Sequence, residues 1–411
     1  MTHDLVVRAG TVIDGTGAPA RTADVAVDGG RVTEVGSIDS AGREELDADG
    51  ALVTPGFVDI HTHYDGQAIW DSRLAPSSWH GVTTVVMSNC GVGFAPVRDI
   101  DHDRLIELME GVEDIPGTAL HEGITWEWET IGDYLDALER RPHDIDFAAQ
   151  VPHGALRLYV MGERGAAGEP ATDADIALMA ELAAEAVAAG ALGFTTSRTR
   201  NHRSSRGEFT PSLKAERQEL VGIAEALGAL GQGVLQVVSD FTDLDDELAT
   251  VRAMAERSGR PISISVAQSP LVPDQWRRLL DGIAAANADG VVMTGQVAPR
   301  PVGILMGLAA SLHPFLTSAA YKEVAALPLA ERVIALAAPE RRARILDEAG
   351  ATTNRIFSYD TMWELDDGFD YEPSPATSIA ARAAAEGRDP ADLAYELLLG
   401  GDGQALLYLP F

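Results

Sequence analysis

Apolar segments recur at regular intervals along this 411-residue chain, with helical stretches between them. The helical stretches are rich in Ala, Leu and Glu, and Thr172 is a suitable N-cap for one of them. Alternating helices and buried strands predict a parallel sheet. The even spacing favours a (β/α)8 barrel of the TIM type over an open doubly wound sheet, and no G-x-G-x-x-G sequence opens a helix after a strand. The predicted strands are 51–60, 82–89, 146–151, 191–197, 233–239, 261–267 and 291–298, and the predicted helices are 173–189, 212–230, 243–258 and 273–286.

The first fifty residues follow a different pattern. Short alternating segments occur at 24–28 and 31–36, and Gly29-Gly30 lies between them. A Gly-Gly pair between two alternating segments is typical of a β-hairpin. The chain is therefore predicted to begin with a small β part.

The seven predicted strands are one short of a closed eight-stranded barrel. The chain ends in an apolar stretch at 406–411. Such an ending would leave apolar surface unburied, so we expect that the eighth unit is missing and that the chain is truncated at its C-terminus. The alternative is that residues 355–360 form the last strand.

Composition limits the classes of partner and compartment. The formal net charge is −32, which argues against nucleic acid and anionic membrane surfaces as partners. No apolar run approaches the length of a membrane span, and the N-terminus lacks the layout of a signal peptide. Cys90 is the single cysteine, so an internal disulfide is excluded. These features together predict a globular protein of the cytoplasm.

His61 and His63 are the strongest candidates for metal binding. They end the first apolar strand and lie two residues apart, which places both on one face of an extended chain. Cys90 ends the second predicted strand, at the same edge of a parallel sheet. Two imidazoles and one thiolate are a suitable ligand set for zinc. The competing interpretation is two polar residues at a strand end and an ordinary buried cysteine.

Three segments carry a resemblance to a known family. The chain resembles the amidohydrolase superfamily, and within it the N-acyl-D-amino-acid deacylase (D-aminoacylase) branch; the segments are VVRAGTVIDG at 6–15, TPGFVDIHTH at 54–63 and NCG at 89–91. The resemblance implies a barrel, at residues 54–411, beside a composite β-sandwich whose N-terminal part is residues 1–53. It also implies one or two zinc ions, with a cysteine ligand in place of the carboxylated lysine of other relatives. The only lysines, Lys214 and Lys322, lie outside the predicted strands.

The chain also departs from that family. Relatives carry metal-binding histidines at the ends of strands five and six, and the matching stretches 233–240 and 261–268 contain none. Asp240 and Gln268 are the residues that could contribute oxygen atoms there, as ligands or as walls of a substrate site. The resemblance further implies a catalytic aspartate at the end of strand eight, which we expect beyond Phe411.

Other polar residues follow the predicted strands. Asp65, His153, Arg198 and His202 are candidates for substrate binding, because an arginine can pair with the carboxylate of an N-acyl amino acid. The alternative is that the arginines pair with nearby acids and that the histidines are structural. A further group of acids, at 110, 113 and 114, lies in the loop 109–117 without an assigned role.

The resemblance predicts an enzyme that hydrolyses amide bonds other than peptide bonds. The expected substrate is a small N-acyl amino acid, which is cleaved to a carboxylate and a D-amino acid. One alternative is a cyclic amidohydrolase of the hydantoinase or dihydroorotase kind, although those usually keep the bridging lysine. Another is a barrel that has lost its metal and only binds a ligand. Self-association into a homo-oligomer stays open at this stage.

Overall fold

The computed structural model describes residues 2–269, 272–299, 302–310, 312–350, 358–366, 368, 370 and 372–410. The chain divides into two compact units. Unit 1 comprises Met1–Asp240 and Ala249–Ile262, and unit 2 comprises Phe241–Leu248 and Ser263–Phe411.

The strands of the described residues are β1 (His3–Val12), β2 (Arg21–Asp28), β3 (Arg31–Gly36), β4 (Gly42–Asp47), β5 (Leu52–Val53), β6 (Phe57–Asp59), β7 (Val82–Met87), β8 (Asp146–Ala149), β9 (Val151–Pro152), β10 (Gly193–Arg198), β11 (Val234–Ser239), β12 (Ile262–Ser265), β13 (Met293–Gln296), β14 (Gly303–Gly307), β15 (Trp363–Leu365) and β16 (Leu406–Pro410).

The α-helices are α1 (His102–Glu113), α2 (Gly117–Gly123), α3 (Ile131–Glu139), α4 (His153–Met161), α5 (Glu163–Ala166), α6 (Asp173–Ala188), α7 (Arg217–Leu230), α8 (Leu244–Ser258), α9 (Gln275–Ala288), α10 (Ala319–Lys322), α11 (Leu329–Leu336), α12 (Pro339–Gly350), α13 (Ile379–Glu386), α14 (Pro390–Leu398) and α15 (Gly400–Gly403). None of these helices combines the length and the apolar character that crossing a bilayer requires.

The N-terminal sheet of unit 1 has the order β3-β2-β1-β4, and β5 also pairs with β1. Strands β1, β2 and β3 pair antiparallel, whereas β4 and β5 pair parallel with β1. Gly29 and Gly30 turn the chain between β2 and β3 with φ of 57° and 74°, a region in which glycine is favoured. The predicted hairpin is confirmed. A small cluster of the buried residues Val6, Ala26 and Ile38 packs within this N-terminal part.

The predicted alternation of strands and helices is confirmed. Strands β6, β7 and β8 pair parallel in one sheet of unit 1, and β9, β10 and β11 pair parallel in another. The four predicted helices correspond to α6–α9, and α7 begins at Arg217 because residues 211–214 form turns. Thr172 caps α6 as expected, in a capping box with Asp175. Such a cap stabilises the helix by about 1 kcal/mol.

The first predicted barrel strand, 51–60, is interrupted. Pro55 and Gly56 separate β5, which pairs with β1, from β6, which pairs with β7. His61 and His63 therefore follow β6 in a loop rather than continue the strand. The expected burial of this segment is also wrong in part, because Phe57 and Val58 are 60% and 56% exposed.

In unit 2, the apolar stretch near the C-terminus is buried, so the expectation of unburied surface there is wrong. Strand β16 is the central strand of an antiparallel sheet with the order β14-β16-β15. Leu407 and Leu409 on β16 pack into a core that includes Met306, Phe315 and Ile379. Residues 355–357 of the alternative last strand lie outside the described residues, and Tyr359–Thr361 is a turn of 3-10 helix.

Candidate metal centre

His61, His63 and Cys90 come together in unit 1. One potential ligand atom from each residue lies within 4.8 Å of the others. The Nε2 atom of His61 is 3.1 Å from the Sγ atom of Cys90, and the two imidazole rings have their centroids 5.4 Å apart. The three donors that the sequence singled out therefore form one cluster.

Cys90 is held in place by the amide side chain of its neighbour. It lies in a single turn of 3-10 helix directly after β7. The buried Asn89 side chain donates to the carbonyl of Val86 at 2.8 Å and to that of Thr62 at 3.3 Å, and it accepts from Gln150 at 3.1 Å. Asn89 thus ties the Cys90 turn to the chain between the two histidines.

The same turn has an unusual backbone that further contacts fix. Ser88 and Cys90 have φ of 61° and 56°, a left-handed conformation that costs a non-glycine residue about 1 kcal/mol or more. Asp65 accepts from the Ser88 amide at 3.0 Å and from its hydroxyl at 2.5 Å. The Thr195 hydroxyl donates to the Ser88 carbonyl at 2.7 Å and accepts from Gly91 at 3.1 Å. These bonds hold the thiol beside His61.

Asp65 was predicted to bind substrate, but its carboxylate forms hydrogen bonds with Ser88. It is fully buried, and both of its carboxylate oxygens accept from Ser88. Burial raises the pKa of Asp65 to about 6, although the Ser88 hydrogen bonds oppose that shift. Its contacts are therefore those of a residue that positions the Cys90 turn.

His63 has one ring nitrogen without a protein partner. Its Nδ1 atom is buried and unpaired, whereas its Nε2 atom lies 3.2 Å from Oε1 of Glu113. Burial lowers the pKa of His63 well below its ordinary value, and the nearby His61 and His202 add to this effect. His63 is consequently neutral, the state in which imidazole binds a metal.

Two acidic groups share this buried neighbourhood with Asp65. Burial, followed by the charge of Asp65, raises the pKa of Glu113 to about 8. Burial, followed by the charges of Glu113 and Asp65, raises the pKa of the Cys90 thiol well above its ordinary value. Glu113 was not among the substrate-binding candidates, because the sequence gave no sign that it differs from the neighbouring acids of its loop.

The donor set fits a zinc ion. Two imidazoles and one thiol are typical zinc ligands, and a bound cation would favour the thiolate. The unpaired buried nitrogen of His63 independently indicates a ligand, because buried polar atoms are nearly always satisfied.

His202, another of the candidates, interacts with the cluster. It interacts electrostatically with His61 and His63, and its Nδ1 atom is 2.9 Å from the Ser197 hydroxyl. Burial lowers the pKa of His202 to about 4, and Asp240 opposes this shift. Asp240 itself accepts from the Arg200 amide at 2.8 Å, so it also shapes the loop that carries His202.

The side chains of His153 and Arg198 make other contacts within unit 1. Both ring nitrogens of the fully buried His153 are engaged, one with Thr196 and one with Glu219, each at 2.8 Å. Arg198 donates to the carbonyl of Ala215 at 2.5 Å. Gln268 is an exposed residue of unit 2.

Comparisons with known proteins identify the family of this chain. The family profile described as "Amidohydrolase family" matches residues 44–387. D-aminoacylase of Alcaligenes xylosoxydans xylosoxydans is 34% identical over 267 residues, which are 65% of this chain and 50% of that protein. N-acyl-D-aspartate deacylase of the same organism is 30% identical over 394 residues, covering 90% of this chain and 74% of the relative. The chain thus spans about half the length of the first of these relatives.

The fold is also shared with a solved protein. A structure of D-aminoacylase, studied for its binuclear metal centre, superposes with a TM-score of 0.63 and 25% identity, covering 99% of this chain and 71% of that one. This similarity confirms the predicted fold class, an α/β barrel with a small N-terminal β part. The chain belongs to the amidohydrolase family, in its D-aminoacylase branch.

Proposed function

We propose that this chain provides the metal-binding part of an enzyme that hydrolyses N-acyl-D-amino acids to a carboxylate and a D-amino acid. The observation that carries the proposal is the convergence of His61, His63 and Cys90 within 4.8 Å. Its relatives include a D-aminoacylase and an N-acyl-D-aspartate deacylase, which supports an amide of a D-amino acid as the substrate.

The chemistry requires a metal because an amide bond is inert. A zinc ion, when bound, lowers the pKa of a water molecule and polarises the acyl oxygen. His61 and His63 offer nitrogen donors, and Cys90 offers a thiolate that would balance part of the cation's charge. One or two ions fit the proposal. We assign the proton transfer to none of the described residues.

Recognition of the substrate is assigned to the polar side chains around the cluster. His202 and Asp240 are the candidates for this role, because His202 interacts electrostatically with Asp240 and with His61 of the cluster. A small N-acyl amino acid remains the proposed partner, and nucleic acid and membrane are disfavoured by the net charge of −32. We further infer a cytoplasmic location from the single cysteine, while self-association stays open.

The test combines metal analysis with a substrate panel. The purified protein should contain zinc, and zinc-loaded protein should cleave N-acetyl-D-amino acids faster than the matched L-compounds. Turnover of ring amides alone would replace the proposal with a cyclic amidohydrolase. Protein that binds no metal and still binds N-acyl amino acids would instead indicate a ligand-binding barrel.

A further inference from the structure

A pocket in unit 1, here called the Lys214 pocket, lies between the end of α5 and the segment that follows the loop of His202. Its volume is about 100 Å³, whereas a single water molecule needs only about 10–15 Å³. The pocket therefore has room for a small organic molecule. Its walls are formed by residues 166–168, Phe209, Thr210, Leu213 and Lys214.

Lys214 places an unpaired cation in this wall. Acidic residues outnumber basic ones in the chain, 63 to 31, yet the ammonium of Lys214 forms no hydrogen bond or ion pair with any residue that the structure describes. Its side chain passes beside Gly168, where a Cβ atom would lie 3.7 Å from its Cδ atom. The apolar stem thus lies along the wall, and the charged end is left for a ligand.

A second positive charge lies behind the aromatic wall. The Cζ atom of Arg203 is 3.9 Å from the centroid of the Phe209 ring. Its guanidinium donates to two backbone carbonyls of its own loop, at 3.2 and 3.0 Å. Within the described part of the chain, no ion pair joins Glu208, the acid next to Phe209, to Arg203 or to Lys214. The pocket therefore favours an anion.

The polar wall residue Thr210 is already engaged. The Ser212 hydroxyl donates to the carbonyl of Ser197 at 2.9 Å, so the Thr210 hydroxyl, 3.3 Å away, donates to Ser212. The ammonium of Lys214 is then the side-chain donor that the walls leave for a ligand.

These walls select among anions. A lysine presents a point charge rather than the two-pronged donor of an arginine, and a phosphate ion is best held by several donors. Phe209, Leu213 and the alanines at 166 and 167 are apolar. One charge beside apolar walls matches a singly charged carboxylate with a short alkyl chain.

The pocket borders the loop that carries His202. The Thr210 amide donates to the carbonyl of His202 at 3.3 Å, and the Ser197 hydroxyl is 2.9 Å from Nδ1 of His202. The three metal donors are not among the residues that line the pocket. A ligand there would contact the segment that positions His202, but not the metal donors themselves.

We propose that the Lys214 pocket binds a short-chain monocarboxylate, with the carboxylate beside Lys214 and the alkyl chain against Phe209 and Leu213. The acid that the proposed hydrolysis releases belongs to this chemical class. The inference nevertheless goes beyond the proposed function, because it rests on the shape and charge of the pocket alone.

The test uses the fact that Lys214 and Lys322 are the only lysines of the chain. Reductive methylation with ¹³C-formaldehyde keeps their charge and gives each of them an NMR signal, and Lys214→Arg assigns the signal of the pocket. Butyrate is then titrated into the methylated protein. We expect the Lys214 signal to shift along a saturating curve, whereas the signal of Lys322, which lies in unit 2, should stay in place.

Variants test each wall by the line broadening of butyrate in unmethylated protein. Lys214→Met keeps the length of the stem, removes the charge and should weaken binding by about tenfold or more. Lys322→Met is the matched control and should bind like the parent. Ala167→Leu should also weaken binding because its side chain enters the pocket. From acetate to butyrate, each added CH₂ should tighten binding by about fourfold. Circular dichroism establishes that the variants are folded.

Several outcomes would overturn the inference. Equal shifts of both lysine signals, or shifts that rise linearly with butyrate, would mean non-specific ion binding. An equal effect of butyramide would mean that the carboxylate is not recognised, and an equal effect of phosphate would mean that the apolar walls play no part. Tighter binding of N-butyryl-D-alanine than of butyrate would assign the pocket to intact substrate.

The inference and the proposed function can fail separately, because this test uses neither zinc nor turnover. Protein that binds butyrate in the Lys214 pocket but cleaves no amide would support the inference and contradict the proposed function.

Discussion

Replacing Asp65 by asparagine tests the role of its buried carboxylate. Asparagine keeps the shape of the side chain and accepts from the Ser88 amide through its oxygen. The Ser88 hydroxyl, which now donates to Asp65, can turn to accept from the new amide. The substitution therefore preserves the Cys90 turn and removes one ionisable group.

The size of the expected change in stability with pH follows from the pKa of Asp65, which burial raises from 3.8 to about 6. A pKa that is higher in the folded state gives a stability that is complete below pH 4 and is lost as the pH rises through 6. This difference in pKa corresponds to about 3 kcal/mol in total, of which about 1 kcal/mol falls between pH 5 and pH 8. Asp65→Asn should escape this loss.

The assay is urea unfolding of metal-free protein at pH 5 and pH 8, followed by tryptophan fluorescence. Relative to the parent, Asp65→Asn should gain about 1 kcal/mol in free energy of unfolding between pH 5 and pH 8. Asp103→Asn serves as the control and should show no such gain. A difference between Asp65→Asn and the parent that is independent of pH would refute the reasoning that burial penalises the charged form.

Three further predictions follow from individual contacts. Cys90→Ala should weaken zinc binding by at least about tenfold in equilibrium dialysis, and the Co²⁺ form should lose its sulfur-to-metal charge-transfer band. An unchanged zinc affinity would show that Cys90 is not a ligand. Arg157→Met should lower the free energy of unfolding by about 3–5 kcal/mol, because it leaves Glu219 buried without its guanidinium partner. The double variant with Glu219→Leu should lose less in the same urea titration, and an equal loss would contradict this account. Thr172→Ala should cost about 1 kcal/mol in thermal unfolding, since α6 loses its cap, whereas Asp173→Asn should cost less.

Local pattern was sufficient to predict most strands and the convergence of His61, His63 and Cys90. The apolar segments predicted β7, β10 and β11, and Cys90 lies beside His61 because neighbouring parallel strands end at one edge. The apolar run 51–60 predicted one continuous strand, but Pro55 and Gly56 interrupt it. His61 and His63 nevertheless come together with Cys90.

Long-range pairing explains what the sequence could not reveal. The hydrogen bonds of Asp65 to Ser88 and of His153 to Glu219 join distant segments, and no local period encodes them. Strand β16 is buried because it pairs with β14, about a hundred residues earlier. Glu113 resembles its neighbouring acids in sequence, and only the fold places it beside His63.

The placement of the metal donors along the chain has a consequence for synthesis on the ribosome. The proposed ligands His61, His63 and Cys90 all lie within residues 61–90, and the contacts that fix the Cys90 turn are complete once Thr195 has been made. The central strand of the unit 2 sheet, β16, follows only at Leu406–Pro410. Because domains tend to fold from the N-terminus as the chain emerges, zinc capture can precede closure of that sheet, and an early-bound ion would protect the nascent unit 1 while the rest of the chain is translated.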